Sequence, residues 1–295
     1  MKLAVFDDFR LGVVEGDRVR DVTAVVPAAL DALPRQRMNW LIGHWAEAQG
    51  ALRRALAEAP AQALSAVTLL PPNPGAGHVY AAPANYRRHI GELGDRAVTK
   101  AARSAREQGF FLKAPASMVG AGGAILLPRG STRRFDHESE LAVFIGREAR
   151  NVPRAEAMAC VFGYACLIDA TMRIEPGVAE EERSMRKSFD TFTPVGPWLV
   201  TADEVPEPQN LANRLWVNGV LKQEANTRDM IVGIAELIEL VSSVVTLRPG
   251  DVIASGTPEG VGPLAPGDTV KIAIESVGEM TLPVRQQAER SPRAY

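Results

Sequence analysis

Three acidic residues carry the first chemical signal. The segment His137-Glu138-Ser139-Glu140-Leu141-Ala142-Val143-Phe144-Ile145 has the composition of a strand, in which residues two apart share a face. Glu138 and Glu140 then project side by side, while Leu141, Val143 and Ile145 face the other way. Two parallel carboxylates repel unless a cation lies between them, and oxygen-only ligation suits Mg²⁺, Mn²⁺ or Ca²⁺. Taken alone, a Glu-x-Glu pair is more simply a solvated strand face. Asp169 shifts that balance. It ends the apolar run Gly163-Tyr164-Ala165-Cys166-Leu167-Ile168, and a charge at the end of a buried strand is costly unless it is paired or binds a metal.

His89 and Glu92 form a second unit, within Asn85-Tyr86-Arg87-Arg88-His89-Ile90-Gly91-Glu92. Three apart on a helical turn, their side chains are neighbours. A carboxylate orients an imidazole and raises its basicity, as a general base acting on water requires. A surface ion pair in a basic turn has the same spacing. A third cluster runs from Arg186 to Pro197 and contains Lys187, one of only six lysines against 27 arginines. The glycine-rich loop Ser255-Gly256-Thr257-Pro258-Glu259-Gly260-Val261-Gly262 could hold a carboxylate with its amides and the Thr257 hydroxyl; a plain turn explains it equally well. No Gly-x-Ser-x-Gly elbow, phosphate loop, His-Glu-x-x-His or Cys-x-x-Cys motif is present. Gly120-Ala121-Gly122-Gly123 misses the dinucleotide spacing and reads as a turn.

These residues must be positioned by short strands. Lys2 to Phe6, Leu11 to Val14 and a segment toward Val22 alternate like strands, with Glu15-Gly16-Asp17 as a turn. Met38 to Ala59 reads as one helix. The window Leu70-Pro71-Pro72-Asn73-Pro74-Gly75 stops any regular element, which predicts a small domain over 1–74 and a catalytic domain over 75–295. Beyond it, strands are expected at Val79–Ala82, Phe110–Lys113, Ala124–Leu127, Glu138–Ile145, Val161–Ile168 and Pro197–Thr201. Asn218-Gly219 predicts a hairpin. Asn226-Thr227 is expected to cap an amphipathic helix carrying Met230, Ile234, Leu237, Ile238 and Val241. Three strands, at Val252–Ala254, Thr269–Ile274 and Met280–Val284, close an α+β, mostly β chain without regular βαβ alternation.

The chain has 295 residues, 46% hydrophobic and 23% charged, which suffices for a real core. Its 33 basic and 35 acidic residues leave a charge of −2, too balanced for a nucleic-acid footprint. No apolar run has the length of a membrane span, and the first residues turn acidic too early for a signal peptide. Cys160 and Cys166 are expected as buried thiols. The expectation is a cytoplasmic protein that binds neither nucleic acid nor membrane.

Taken in order, the motifs resemble the fumarylacetoacetate hydrolase superfamily. The matching string is Asn85-Tyr86 with His89 and Glu92, then Phe111-Leu112-Lys113, Glu138-Ser139-Glu140-Leu141-Ala142, Gly163-Tyr164, Asp169 and Arg173. It continues with Lys187-Ser188-Phe189-Asp190-Thr191, Val217-Asn218-Gly219, Asn226-Thr227, Met230-Ile231 and the loop Ser255 to Gly262. The match runs from about residue 77 to about residue 285.

The resemblance implies a mixed β-roll catalytic domain behind a small N-terminal α/β domain, and a homodimer. It implies Glu138, Glu140 and Asp169 as ligands of Mg²⁺ or Mn²⁺, and His89 and Glu92 as the water-activating dyad on a lid. Lys187 and Thr191 line the site, with Tyr86 counted among the substrate-binding residues. Arg173 contacts substrate, and Thr257 binds the substrate's carboxylate. The substrate is a small anionic 2-oxo or β-diketo acid. The implied reaction is hydrolysis of a C–C bond, with the enolate stabilised by the metal. A decarboxylase, hydratase, dehydratase or tautomerase on the same site is the alternative, and a silent ligand-binding relative is a further one. Two departures bear on substrate choice. Between Glu92 and Phe111 a long, basic, alanine-rich stretch (Arg96 to Arg106) reads as helix, and Thr171-Met172-Arg173-Ile174 lacks the family's trailing acid.

Overall fold

The apolar alternation of the first residues produces a hairpin. Lys2–Phe6 pairs antiparallel with Arg10–Glu15, which pairs in turn with Arg18–Asp21 and then Ala61–Ala63. In the computed structural model, which describes residues 1–93, 103–174 and 181–290, this hairpin does not stand apart. Lys2–Phe6 also pairs with Thr193–Thr201, with Lys2 opposite Val200. The main sheet therefore has eleven strands and continues through Val161–Ile168, Ser139–Ile145, Val252–Ala254, Val79–Ala81 and Phe111–Lys113. Val252–Ala254 and Val79–Ala81 are parallel, so the sheet is mixed. A second sheet of five strands orders Val220–Asn226, Ala212–Val217, Thr269–Ile274, Gly278–Arg290 and Ile125–Arg129.

Both faces of the central strands are buried, which explains their nearly continuous apolar sequence. Leu141, Val143 and Ile145 join Tyr164, Cys166 and Ile168 against the second sheet and the helix Ile234–Val244. On the opposite face, Ala142, Phe144, Ala165 and Leu167 pack with Leu3, Val5, Leu41, Ile42 and Leu52 of the N-terminal segment. The boundary expected after residue 74 lies in irregular chain, while the sheet and this core cross it. Both cysteines are free and buried, as expected.

Several elements differ from their expectation. Met38 to Ala59 is two helices, Arg37–Gly43 and Trp45–Glu58, broken at His44. The His44 amide donates to the Trp40 carbonyl at 2.9 Å and closes the first helix, and the His44 ring, stacked on Trp40, brings its Nδ1 to the same carbonyl at 2.9 Å. Asn226 caps a short 3₁₀ turn, Thr227–Asp229, through a reciprocal capping box. The amphipathic helix starts only at Ile234, whose amide donates to Gln209 Oε1 at 3.0 Å, so Met230 lies outside it. The described part of the basic stretch before Phe111 is a single turn, Ala105–Gln108, opened by a Ser104–Glu107 capping box; its residues 96–102 lie outside the described residues. Among the described residues no helix is long and apolar enough to cross a membrane.

Candidate active site

Strand register brings the three acids together. Ser139 stands opposite Ile168 and Glu140 opposite Leu167, and the Asp169 amide donates to the Glu138 carbonyl at 2.8 Å. Asp169 is therefore the cross-strand neighbour of Glu138, and Glu140 lies two residues along the same face. All three are buried, and one carboxylate oxygen from each lies within 4.8 Å of the others. This rules out the solvated-face reading of Glu138-x-Glu140. Glu138 itself falls in a break between the strands Phe135–His137 and Ser139–Ile145.

Two buried lysines lie against this trio. Lys187 Nζ donates to Glu138 Oε2 at 2.8 Å, Asp169 Oδ2 at 2.5 Å and Thr171 Oγ1 at 2.7 Å. Lys113 Nζ donates to Asp169 Oδ1, to the Lys187 carbonyl at 2.6 Å and to the Phe192 carbonyl at 3.2 Å. Lys113 belonged to the sequence match without a role; its signal was a lysine closing the short strand Phe111–Lys113. Burial pulls its pKa down, against the pull of Asp169. Arg173 donates to Asp136 at 2.7 Å and to Glu138 Oε1 at 2.6 Å. Arg173, for which the resemblance implied a contact with substrate, is thus paired with Glu138 and Asp136. For Glu138, burial opposes ionisation, but Lys187 and Arg173 outweigh it and hold the carboxyl well below its ordinary pKa.

Glu140 is the exception. It has no ion pair among the described residues and accepts only the Gly256 amide, at 2.7 Å. Burial first, then the charge of Asp169, push its pKa well above the ordinary value. Glu138 is paired with Lys187 and Arg173, and Asp169 with Lys113 and Lys187, which leaves Glu140 as the member of the trio without a cation among the described residues. A buried carboxylate without a counter-charge, beside two others, is the donor set that a hard divalent cation completes. Gly256 is needed where it stands: its φ is +93°, and a Cβ there would lie 2.5 Å from the Cβ of Asn85.

The dyad sits on the helix Arg87–Leu93. His89 is buried, and its Nδ1 lies 3.3 Å from Glu92 Oε2. Glu92 accepts the Gly260 amide at 3.1 Å, and Arg88 meets Glu259 at 3.2 Å, docking the helix on the glycine-rich loop. Burial raises the Glu92 pKa, but the His89 hydrogen bond and charge and the loop amides outweigh it and hold the carboxyl below its usual value. Asn85 anchors the start of the helix. Its amide donates to the Val232 and Ser255 carbonyls at 2.8 and 2.7 Å, and its Oδ1 accepts the Val232 amide at 2.8 Å.

Tyr86 is fully buried, its hydroxyl has no hydrogen-bond partner among the described residues, and burial, then Glu140, raise its pKa strongly. Thr257 is buried and receives a hydrogen bond from Gln223 at 2.9 Å. Thr191 differs. It occupies a left-handed turn (φ 68°), and its hydroxyl accepts the Leu126 amide at 2.7 Å rather than joining the carboxylate cluster. Sequence reasoning passed over Gln223, which looked like one more polar residue on a half-exposed strand.

A buried Glu-Glu-Asp trio on a mixed β-roll, backed by lysines and faced by a His-Glu helix, defines a metal-site enzyme class. The match of residues 78–285 to the model of the fumarylacetoacetate (FAA) hydrolase C-terminal domain agrees, and the chain belongs to that family. It is 46% identical over 293 residues to maleylpyruvate hydrolase of Aquipseudomonas alcaligenes, covering 97% of this chain and 99% of that one. The crystal structure of maleylpyruvate hydrolase from Sphingobium sp. SYK-6 in complex with manganese(II) and pyruvate superposes with a TM-score of 0.85. It is 42% identical, over 97% of this chain and 99% of that one. A 2-hydroxyhepta-2,4-diene-1,7-dioate isomerase from Mycobacterium marinum is more distant, at TM-score 0.72 and 29% identity over 98% of this chain and 100% of that one.

Proposed function

We propose that this chain is a divalent-metal-dependent hydrolase that cleaves a C–C bond in an acylpyruvate-type diketo acid, with maleylpyruvate the first candidate. The observation that carries the reading is the buried trio with its uncompensated Glu140 under a docked His-Glu pair. Glu138, Glu140 and Asp169 would hold Mn²⁺ or Mg²⁺, which supplies Lewis-acid polarisation of a chelated 2-oxo acid. The chain's own groups do the rest. Thr257 donates to the substrate's carboxylate, and Tyr86 presents a hydroxyl that is unpartnered among the described residues and feels the charge of Glu140. His89, oriented by Glu92, takes a proton from the attacking water. Lys187 and Lys113 hold two ligands in place, and Arg173 orients Glu138.

The arginines favour a substrate with a second carboxylate. Arg183 lies 5.4 Å from the centroid of the Phe111 ring, as does Lys187 Nζ, and it donates to Gln108 Oε1 at 2.9 Å. Among the described residues the buried Arg186 side chain donates to the Glu181 carbonyl at 3.3 Å and the Met172 carbonyl at 3.0 Å. Neither pairs with a carboxylate among the described residues, which suits them to a distal anionic end.

Hydrolysis is favoured over isomerisation because the His89–Glu92 pair is intact and because the two maleylpyruvate hydrolases are 46% and 42% identical to this chain, against 29% for the isomerase. Homodimerisation and a cytoplasmic location are proposed from the resemblance. The test is loss of enol absorbance from maleylpyruvate and from monocarboxylic acylpyruvates, with Mn²⁺ and with chelator. Metal-dependent turnover with release of pyruvate, faster for the dicarboxylic substrate, is expected. Isomerised product without cleavage would refute the hydrolase reading.

A further inference from the structure

The buried amide of Gln223 is held by two groups that each work in one direction. The Ser139 amide, which can only donate, lies 3.0 Å from Oε1, and the Pro258 carbonyl, which can only accept, lies 2.9 Å from Nε2. The orientation of the side-chain amide is therefore determined at both ends. Its second N–H points to Thr257 Oγ1 at 2.9 Å, and its oxygen also receives His137 Nδ1 at 3.0 Å. Thr257 is thus an acceptor toward Gln223, and its own hydroxyl proton has no acceptor among the described residues. Ser139 lies between Glu138 and Glu140, so the same amide ties Thr257 to the segment that carries two members of the trio.

We propose that Gln223 is a positioning residue that sets the polarity of Thr257, making its hydroxyl an obligate donor to the carboxylate of an anionic 2-oxo acid. The proposal rests on Thr257 being the substrate's carboxylate donor, as read above. Without Gln223, the hydroxyl can turn its proton to the Pro258 carbonyl or another neighbour, and the donor is no longer prepared in advance.

The test is a double-mutant cycle of Gln223→Met and Thr257→Val, read by calorimetric affinity of the Mn²⁺-loaded protein for pyruvate. Mn²⁺ affinity and thermal melting are measured alongside. Each single variant is expected to bind pyruvate between about tenfold and a hundredfold more weakly, the range for one lost hydrogen bond to a charged group. Mn²⁺ affinity stays unchanged, KM rises more than kcat falls, and the double variant is no weaker than the poorer single one. If Gln223→Met fails to fold, Gln223→Glu replaces it in the same cycle. It keeps the acceptor that Ser139 and His137 use, and when ionised it draws the Thr257 proton to itself.

Unchanged pyruvate affinity in the Gln223 variant overturns the proposal. So do multiplied effects in the double variant or a loss of Mn²⁺ affinity. If Thr257→Val binds pyruvate like the wild type, the reading of Thr257 itself fails, which the cycle shows separately.

Discussion

Replacing Glu140 by glutamine should stabilise the metal-free protein while abolishing its response to divalent metal. Glu140 is buried without a cation, and its oxygen lies within 4.8 Å of oxygens from Glu138 and Asp169. Held ionised, Glu140 would repel each of the other two carboxylates, 4.8 Å away or less, by about 3.5 kcal/mol or more at an effective dielectric constant of about 20, which is the charge that its raised pKa resists. Two such repulsions act on Glu140, and Lys113 and Lys187 offset a large part of them. A net relief of about 1–3 kcal/mol remains after neutralisation, since a glutamine oxygen still accepts the Gly256 amide. For a chain of this size that raises the melting temperature by about 2–6 °C in chelator. Saturating Mn²⁺, at about 100 times its Kd, should stabilise the wild type by about 2.7 kcal/mol and leave Glu140→Gln where it was. Differential scanning fluorimetry of both proteins, with chelator and with Mn²⁺, reads all four values. A variant that melts lower in chelator and still rises with Mn²⁺ would refute the assignment of Glu140 as a strained ligand awaiting a cation.

Other expectations follow from the same geometry. His89→Ala should lower hydrolysis by about 10²–10⁴-fold and leave calorimetric Mn²⁺ affinity intact; near-normal turnover would remove the dyad from the reaction. Lys113→Met leaves Asp169 Oδ1 and two carbonyls without their donor, so urea unfolding should show a loss of about 3–5 kcal/mol, partly restored by Mn²⁺. An undiminished urea midpoint would show that the lysine is not a surrogate cation. Asp251 is buried, and burial raises its pKa despite hydrogen bonds from the Arg248 and His78 amides and the nearby His78 ring. The fold therefore favours its protonated form below the ordinary carboxylate pKa, an advantage lost as pH rises through the raised value. Asp251→Asn should accordingly gain stability relative to wild type as pH increases over that window; a constant difference would contradict the shift.

Much of the site was legible because its signals are local. The spacing of Glu138 and Glu140, the polar end of the Gly163–Ile168 run at Asp169, and the one-turn separation of His89 and Glu92 are all short-range patterns, and the structure realises each of them. The Asn218-Gly219 hairpin formed for the same reason. What escaped depends on distant partners. Lys113 acquires a role only when Asp169 and the Lys187 carbonyl come to it across 56 and 74 residues. Gln223 looks like its exposed polar neighbours Lys222 and Glu224 until Ser139, Thr257 and Pro258 close around it. The helix expected from Asn226 was displaced to Ile234 because Asn226 found a nearer use in a capping box, and a glutamine far upstream supplied the real start. Arg173 was expected at the substrate, and Asp136, unmarked in the sequence, claims one side of it.

The pairing of Lys2–Phe6 with Thr193–Thr201 decides what truncation would do. A chain trimmed before residue 75 would leave the Leu199–Thr201 end of this strand with backbone groups orphaned on one flank, while Met118–Val119 still pairs with Thr193 and Pro194. It would also strip the cover from Phe144 and Leu167, apolar residues on the sheet face that also carries Glu140. Such an edge and face invite other chains to dock, so the shortened protein should precipitate or form fibrils before its chemistry could be assayed. The first seventy-odd residues supply none of the reacting groups assigned above, yet they act as the retaining wall against which the catalytic strands are held in register.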